Sequence, residues 1–243
     1  MPQAAPEPVP LAEALAVLES LGNEQTRKTY ARHGVAEPFW GVKIGDMQPL
    51  RKRVKRDYEL AKQLWATGNF DAQYFAALVA DDERMTKTDL RTWLKTANCR
   101  LICEWGLAGV AAQSRHGAAL AAEWCERKRG HAPVTGWATW TQLVSVAPDD
   151  ELDLADLAAR LEQVAGVIHD QPDRVRYVMN GFVIAVGSFV APLHESALAA
   201  AEAIGPVAVD MGETACKVPP AAATLAKIAG MGRVGRKRKS TKC

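Results

Sequence analysis

The chain has 243 residues, 48% of them hydrophobic and 24% charged, which supplies ample side chain for a core and excludes global disorder. No apolar run approaches the roughly 18 residues of a membrane span, and the opening MPQAAPEPVP lacks the charge and apolar stretch of a secretory signal. Five cysteines, an odd count, then fit reduced thiols, so a cytoplasmic protein that makes no membrane contact is expected.

Residues 1–10 read as a short disordered lead. Beyond them, apolar positions recur at helical spacing almost everywhere: Leu11, Leu15 and Leu18; Cys99, Ile102, Cys103, Leu107 and Val110; Leu154, Leu157, Leu161, Val164 and Ile168; Val175, Val178, Phe182 and Val186. No segment alternates like a strand. Thr86 with Asp89 three residues on resembles a capping box, and Asp149, Asp150 and Glu151 after Pro148 supply negative charge where a helix begins. The pattern predicts helices near 11–20, 23–33, 47–56, 57–67, 71–80, 86–96, 98–112, 115–129, 132–147, 152–169, 173–190, 191–204 and 220–229. So many short helices cannot share one bundle core. Stacked helical pairs solve this, so the expected fold is an all-α, HEAT-like superhelix over 11–230 with a concave basic face, followed by a basic tail over 231–243.

Charge is unevenly placed. From Lys217 onward there are eight basic residues and no acidic one, while the other 216 residues hold 22 basic and 28 acidic side chains, a net of −6. A basic end on a mildly acidic body suits a polyanionic partner, or serves as a solubilising tail. Arg236, Lys237, Arg238 and Lys239 are its densest run. Between Lys43 and Arg56 stand six more basic residues against Asp46 alone. With Met47, Leu50 and Val54 as a buried stripe, Arg51 and Lys55, and Lys52 and Arg56, become i,i+4 neighbours on the exposed sides of a helix, with Arg53 among them. That spacing suits neighbouring phosphates. Lys217, in the helix-breaking stretch DMGETACKVPP, is placed to touch a phosphate at a helix end.

Seven tryptophans are many for this length. Trp137, Trp140, Thr141 and Val144 in GWATWTQLVSV share one helix face, which is either core or a wall for a base or sugar. Cys99 and Cys103 continue an apolar stripe, and no pair of ligand motifs completes a metal site. Neither a phosphate-cradling glycine loop nor a nucleophile elbow is present, so no cofactor is expected.

The stretches YARHGVAEPFWGVKIGDMQPLRK, MTKTDLRTWLKTANCRLICEWGLAGVA, GWATWTQLVSV, RYVMNGFVIAVGSFVAPL and VDMGETACKVP, with the basic GRVGRKRK end, resemble the AlkD-like DNA alkylation repair family from about Tyr30 onward. The resemblance implies a HEAT-like superhelix that cradles duplex DNA, and a glycosylase that removes N3- or N7-alkylated purines. It also implies a tryptophan-rich cleft against the deoxyribose, here Trp137 and Trp140, and a carboxylate that stabilises the cationic sugar. The chain departs from that pattern. Where the family has an aspartate one turn after the tryptophan, Thr141 stands, followed by Gln142, and Met179 or Asn180 replaces a cleft arginine. Glu104, beside Trp105, is the carboxylate that another helix could offer. Three readings follow: a glycosylase using a different carboxylate, a non-catalytic binder of distorted or branched DNA or structured RNA, and a protein-interaction scaffold. The expected partner is duplex DNA, alkylated or distorted, bound by a monomer.

Overall fold

The computed structural model describes residues 8–212, 214 and 216–242. The expected lead therefore lies outside the described residues except for Pro8, Val9 and Pro10, of which Val9 is buried. The described chain is helical, with one isolated bridge between Gly22 and Val42. It forms two compact units: residues 1–110 with 242–243, and residues 111–241. The sequence reading as one repeat domain over 11–230 did not anticipate this division, because helical periodicity marks which face is buried and not which core covers it.

The first unit contains α1 (Leu11–Ser20), α2 (Glu24–Arg32), α3 (Gln48–Val54), α4 (Tyr58–Ala66), α5 (Phe70–Val79), α6 (Lys87–Thr96) and α7 (Arg100–Ile102). From α7 the chain continues through a π-helical stretch, Cys103–Leu107, into α8 (Ala108–Gln113), within which the division falls. The expected capping box starts α6: Asp89 N donates to Thr86 Oγ1 at 3.1 Å and Thr86 N to Asp89 Oδ2 at 3.0 Å.

Helix α5 is the centre of this unit, with all ten residues buried. Its Asp71 and Gln73 side chains are consequently spent on tying loops to it. Asp71 accepts N–H bonds from Trp40, Gly41 and Val42 at 2.6, 3.0 and 2.9 Å. Burial pushes its carboxyl above the ordinary range, and the three N–H donors pull against that shift. Gln73 donates to Trp65 O and Thr96 O and accepts from Asn98 N, joining the ends of α4 and α6. Beside it the rings of Trp65 and Trp93 stack 4.1 Å apart.

The second unit holds α9 (Gly117–Cys125), α10 (Ala132–Val146), α11 (Leu154–Val167), α12 (Asp173–Phe189), α13 (His194–Ile204) and α14 (Ala221–Gly230). Its core is the junction of α10 with α12, where Trp137 and Phe182 meet at 5.1 Å among Val144, Leu161, Val164 and Val186. Two glycines let helices approach this core closely. A Cβ on Gly136 would stand 2.6 Å from Cys125 N, and one on Gly187 would stand 2.7 Å from Leu225 Cδ2. Asp153 caps α11 by accepting from Asp156 N at 2.9 Å, while Asp149–Glu151 form a 3₁₀ turn ahead of it, so the acidic run lies one turn earlier than a helix start.

Three stability outcomes follow from this packing. Gly136→Ala meets backbone and should lower unfolding stability by about 2–3 kcal/mol. Gly166→Ala, which meets nothing within 4 Å, should raise it by about 0.5–1 kcal/mol. Asp71→Asn replaces one of the two accepting oxygens by an amide N–H₂, which then faces at least one of the three N–H donors, and should cost about 2–4 kcal/mol. Urea titration of the three variants checks all of these. An Asp71→Asn variant as stable as wild type would mean that the loop does not depend on that carboxylate.

Candidate nucleic-acid interface

The basic segment of the first unit begins as the sequence suggests and ends differently. Met47 and Leu50 are buried and Val54 is half-buried, but α3 stops at Val54 and Lys55 takes φ 61°, ψ −99°. Lys55 N closes the last turn on Arg51 O at 2.8 Å. Lys55 and Arg56 therefore lie outside the helix, and the expected stacking of Arg51 over Lys55 and Lys52 over Arg56 does not form. The cause is Asp57, which caps α4 through Leu60 N at 2.9 Å and ties its own N–H to Val79 O at 2.8 Å. The chain must reverse within two residues, which forces a left-handed backbone on a side chain that ordinarily avoids it.

The cations of this segment differ in how far they are neutralised. Arg53 pairs with Glu13 at 2.5 Å and Arg56 with Glu83 at 3.6 Å, both in solvent, where such pairs are weak and readily exchanged. Lys52 and Lys55 are exposed, and Arg51 is half-buried. Lys242 is the buried member of the group: its ammonium donates to Ala80 O at 2.6 Å and pairs with Asp82 at 2.7 Å. Burial lowers its pKa, Asp82 raises it in part, and Arg56 and Arg51 lower it again. Arg51, Arg56 and Lys242 thus share one electrostatic neighbourhood.

In the second unit the basic C-terminal run is a strap, and not a free tail. Gly235 N donates to Ser188 O at 2.9 Å and Arg238 N to Ser145 O at 2.7 Å. Lys237 Nζ reaches Val144 O at 3.0 Å and Asp149 at 2.7 Å. Further on, Thr241 N and the hydroxyls of Ser240 and Thr241 converge on Gln113 Oε1 at 2.7, 3.0 and 2.9 Å. The acceptors are the terminal carbonyls of α10 and α12 and the last residue of α8. Helix C-termini are partially negative and leave carbonyls without intrahelical donors, so a cationic strap satisfies both needs at once. Lys237 points inward and is neutralised, while Arg236, Arg238 and Lys239 are exposed. Of the ten residues expected to hold nucleic acid, four lie in this run, and Lys237 among them is engaged within the protein. Lys217 is exposed in the loop before α14, and its neighbours Glu213 and Ala215 lie outside the described residues.

The tryptophans are placed differently from the expected wall. Trp137 is 1% exposed and belongs to the core with Phe182. Trp140 is 5% exposed, and the Arg160 guanidinium, itself bonded to Asp156 at 2.8 Å, covers its ring at 4.5 Å. The two rings border separate clefts, of about 430 Å³ for Trp137 and about 520 Å³ for Trp140. Thr141 Oγ1 donates to Trp137 O at 2.9 Å, so even its hydroxyl is committed to the helix. Asn180 is buried and donates to Pro219 O at 2.9 Å, and Met179 is core. Glu104 belongs to the first unit, is 6% exposed, and is held by Arg100 at 2.5 Å.

A family model for DNA alkylation repair enzymes matches residues 14–215. The chain belongs to the DNA alkylation repair enzyme family. Uncharacterised proteins of Listeria innocua and Listeria monocytogenes are each 29% identical to this chain over 219 residues, covering 86% of it and 93% of their own length. A solved structure, from a family related to the HEAT-like repeat DNA glycosylases with affinity for branched DNA structures, is 31% identical. It superposes with a TM-score of 0.90 over 97% of this chain and all of its own. The HEAT-like helical fold read from the sequence is thereby established. What sequence reasoning missed is the strap's docking. Its signal was present only as Gly232 and Gly235 ahead of the basic run, both at positive φ, which turn the chain back onto the helix ends.

Docking of the strap predicts resistance to trypsin. Wild type should be cut slowly at Arg236–Lys239 despite four consecutive basic residues, and Lys237→Ala should be cut several-fold faster. Mass spectrometry of the fragments against time checks this, and equal rates would refute the docking.

Proposed function

We propose that this protein binds branched DNA through its exposed cations and does not excise alkylated bases. The observation that carries this reading is the close structural likeness to a relative with affinity for branched DNA. The local chemistry supports it. The turn after Trp137 carries a threonine whose hydroxyl is already bonded, and neither tryptophan offers an open face to a sugar. Glu104 is occupied by Arg100. A glycosylase acting on a cationic purine has to stabilise positive charge on the sugar, and none of these groups presents a free negative charge for that purpose.

Phosphate recognition needs only what the two units display. Lys52, Arg53, Lys55 and Arg56 on the first, beside the half-buried Arg51, and Lys217, Arg236, Arg238 and Lys239 on the second are long cations exposed to solvent. A branch point brings more phosphates within reach of one protein surface than a linear duplex does. Affinity for it can therefore arise without contacts to base edges. Fixing the strap's backbone to helix ends keeps three of these side chains in place before DNA arrives, which reduces the ordering cost of binding.

Binding of a four-way junction and a matched linear duplex, followed by fluorescence anisotropy between low and moderate salt, tests the reading. Wild type should favour the junction. Replacing Arg236, Arg238 and Lys239 together by alanine should reduce the slope of log affinity against log salt by about 2–3 units. Duplex containing 7-methylguanine or 3-methyladenine should release no base beyond the uncatalysed background. Base release that falls with Glu104→Gln would replace this reading by a glycosylase with a relocated carboxylate.

A further inference from the structure

From Leu101 to Ala112 every residue is buried except one, Trp105, which is 43% exposed. An apolar helical segment packed on all other sides has thus placed its largest apolar side chain in water. The other six tryptophans are buried, or half-buried in the case of Trp40. Trp105 sits within the π-helical stretch Cys103–Leu107, a geometry that adds a residue to the turn and tends to persist where a side chain must be displayed. The next residue explains how the stretch tolerates it. Gly106 lies against α5, and a Cβ there would stand 2.9 Å from Ile102 Cδ1 and 3.1 Å from Ala77 Cβ. On the preceding turn, Arg100 remains partly exposed while its guanidinium holds Glu104.

We propose that Trp105 is a stacking platform for a single unpaired or terminal base, of the kind a DNA branch point exposes. The proposal rests on the branched-DNA reading and assigns it a residue. A protein-binding face would call for a contiguous apolar patch. Among the described residues the exposed large hydrophobics are only Trp105 and Met231, and these belong to different units. An isolated indole has the area of one base, accepts any base through its π face, and gains from a neighbouring cation that can meet the flanking phosphate. The interior of a linear duplex offers no free base face, and its two ends are the same blunt ends that the arms of a junction carry, so an unpaired base distinguishes branched and single-stranded DNA from duplex.

The test uses the full chain, since Trp105 dominates the emission that acrylamide can reach. Wild type, Trp105→Phe and Trp105→Ala are titrated with a four-way junction, a linear duplex of equal length and single-stranded oligothymidylate, with thermal melting as the control for folding. Junction and oligothymidylate should quench the exposed emission of wild type and shield it from acrylamide. Trp105→Ala should weaken binding to both about tenfold and change duplex binding less than twofold, and Trp105→Phe should keep most of the affinity. Emission that stays open to acrylamide with DNA bound, or an equal effect of Trp105→Ala on all three ligands, overturns the proposal. If wild type shows no preference for the junction, the branched-DNA reading fails by itself. Oligothymidylate then still decides Trp105, by quenching with a tenfold loss or by their absence.

Discussion

A polar group cut off from water must find its partner within the protein, and both units are arranged around that constraint. In the first, α5 has no solvent face, so Asp71 and Gln73 must find donors and acceptors within the protein. They find them in the backbone of the loop before Val42 and at the ends of α4 and α6. In the second, α10 and α12 are the core, and their final carbonyls are met by a strap from the far end of the chain. The cost of an unpaired buried carbonyl or amide is comparable to the stability left to a whole domain once a few are summed. These connections are therefore conditions of the fold and not embellishments of it.

The same constraint explains how charge is distributed. Helix C-termini favour cations, so a basic strap is drawn to the ends of α10 and α12, but only one ammonium, that of Lys237, can approach the carbonyls. Its neighbours are left facing solvent. A structural requirement thus leaves a row of positive side chains on the surface as a by-product, available to a polyanion. In the first unit Lys242 plays the inward part against Asp82, with Arg51 and Arg56 as its outer neighbours. In each unit one inward-pointing, ion-paired lysine accompanies several displayed cations.

Much of the helical plan was legible in the sequence. The capping box at Thr86 and the buried faces of α11 and α12 follow from local spacing, because an amphipathic helix carries its own record of which side meets the core. A mostly buried helix such as α10 keeps less of that record. Trp137 and Trp140 share a face by spacing, yet one enters the core while the other lies under Arg160, a residue of another helix. The end of α3 was misjudged because Asp57 caps the next helix and Val79 takes its amide, and nothing within the basic run announces either. Lys237 is one of four similar cations in sequence. Only Val144 and Asp149, far away along the chain, select it for burial. Trp105 reads as one more apolar residue in an apolar stretch, and its exposure depends on the π-turn around it.

The strap also bears on how the protein is made. Lys237 closes on Val144, 93 positions earlier, so α10 emerges from the ribosome long before the donors for its last carbonyls exist. Until then the nascent second unit has an open helix end and an incompletely covered core, a state in which sticky surface and unsatisfied backbone coincide. The last turn of α10 therefore gains these contacts only once the chain has been synthesised as far as Arg238.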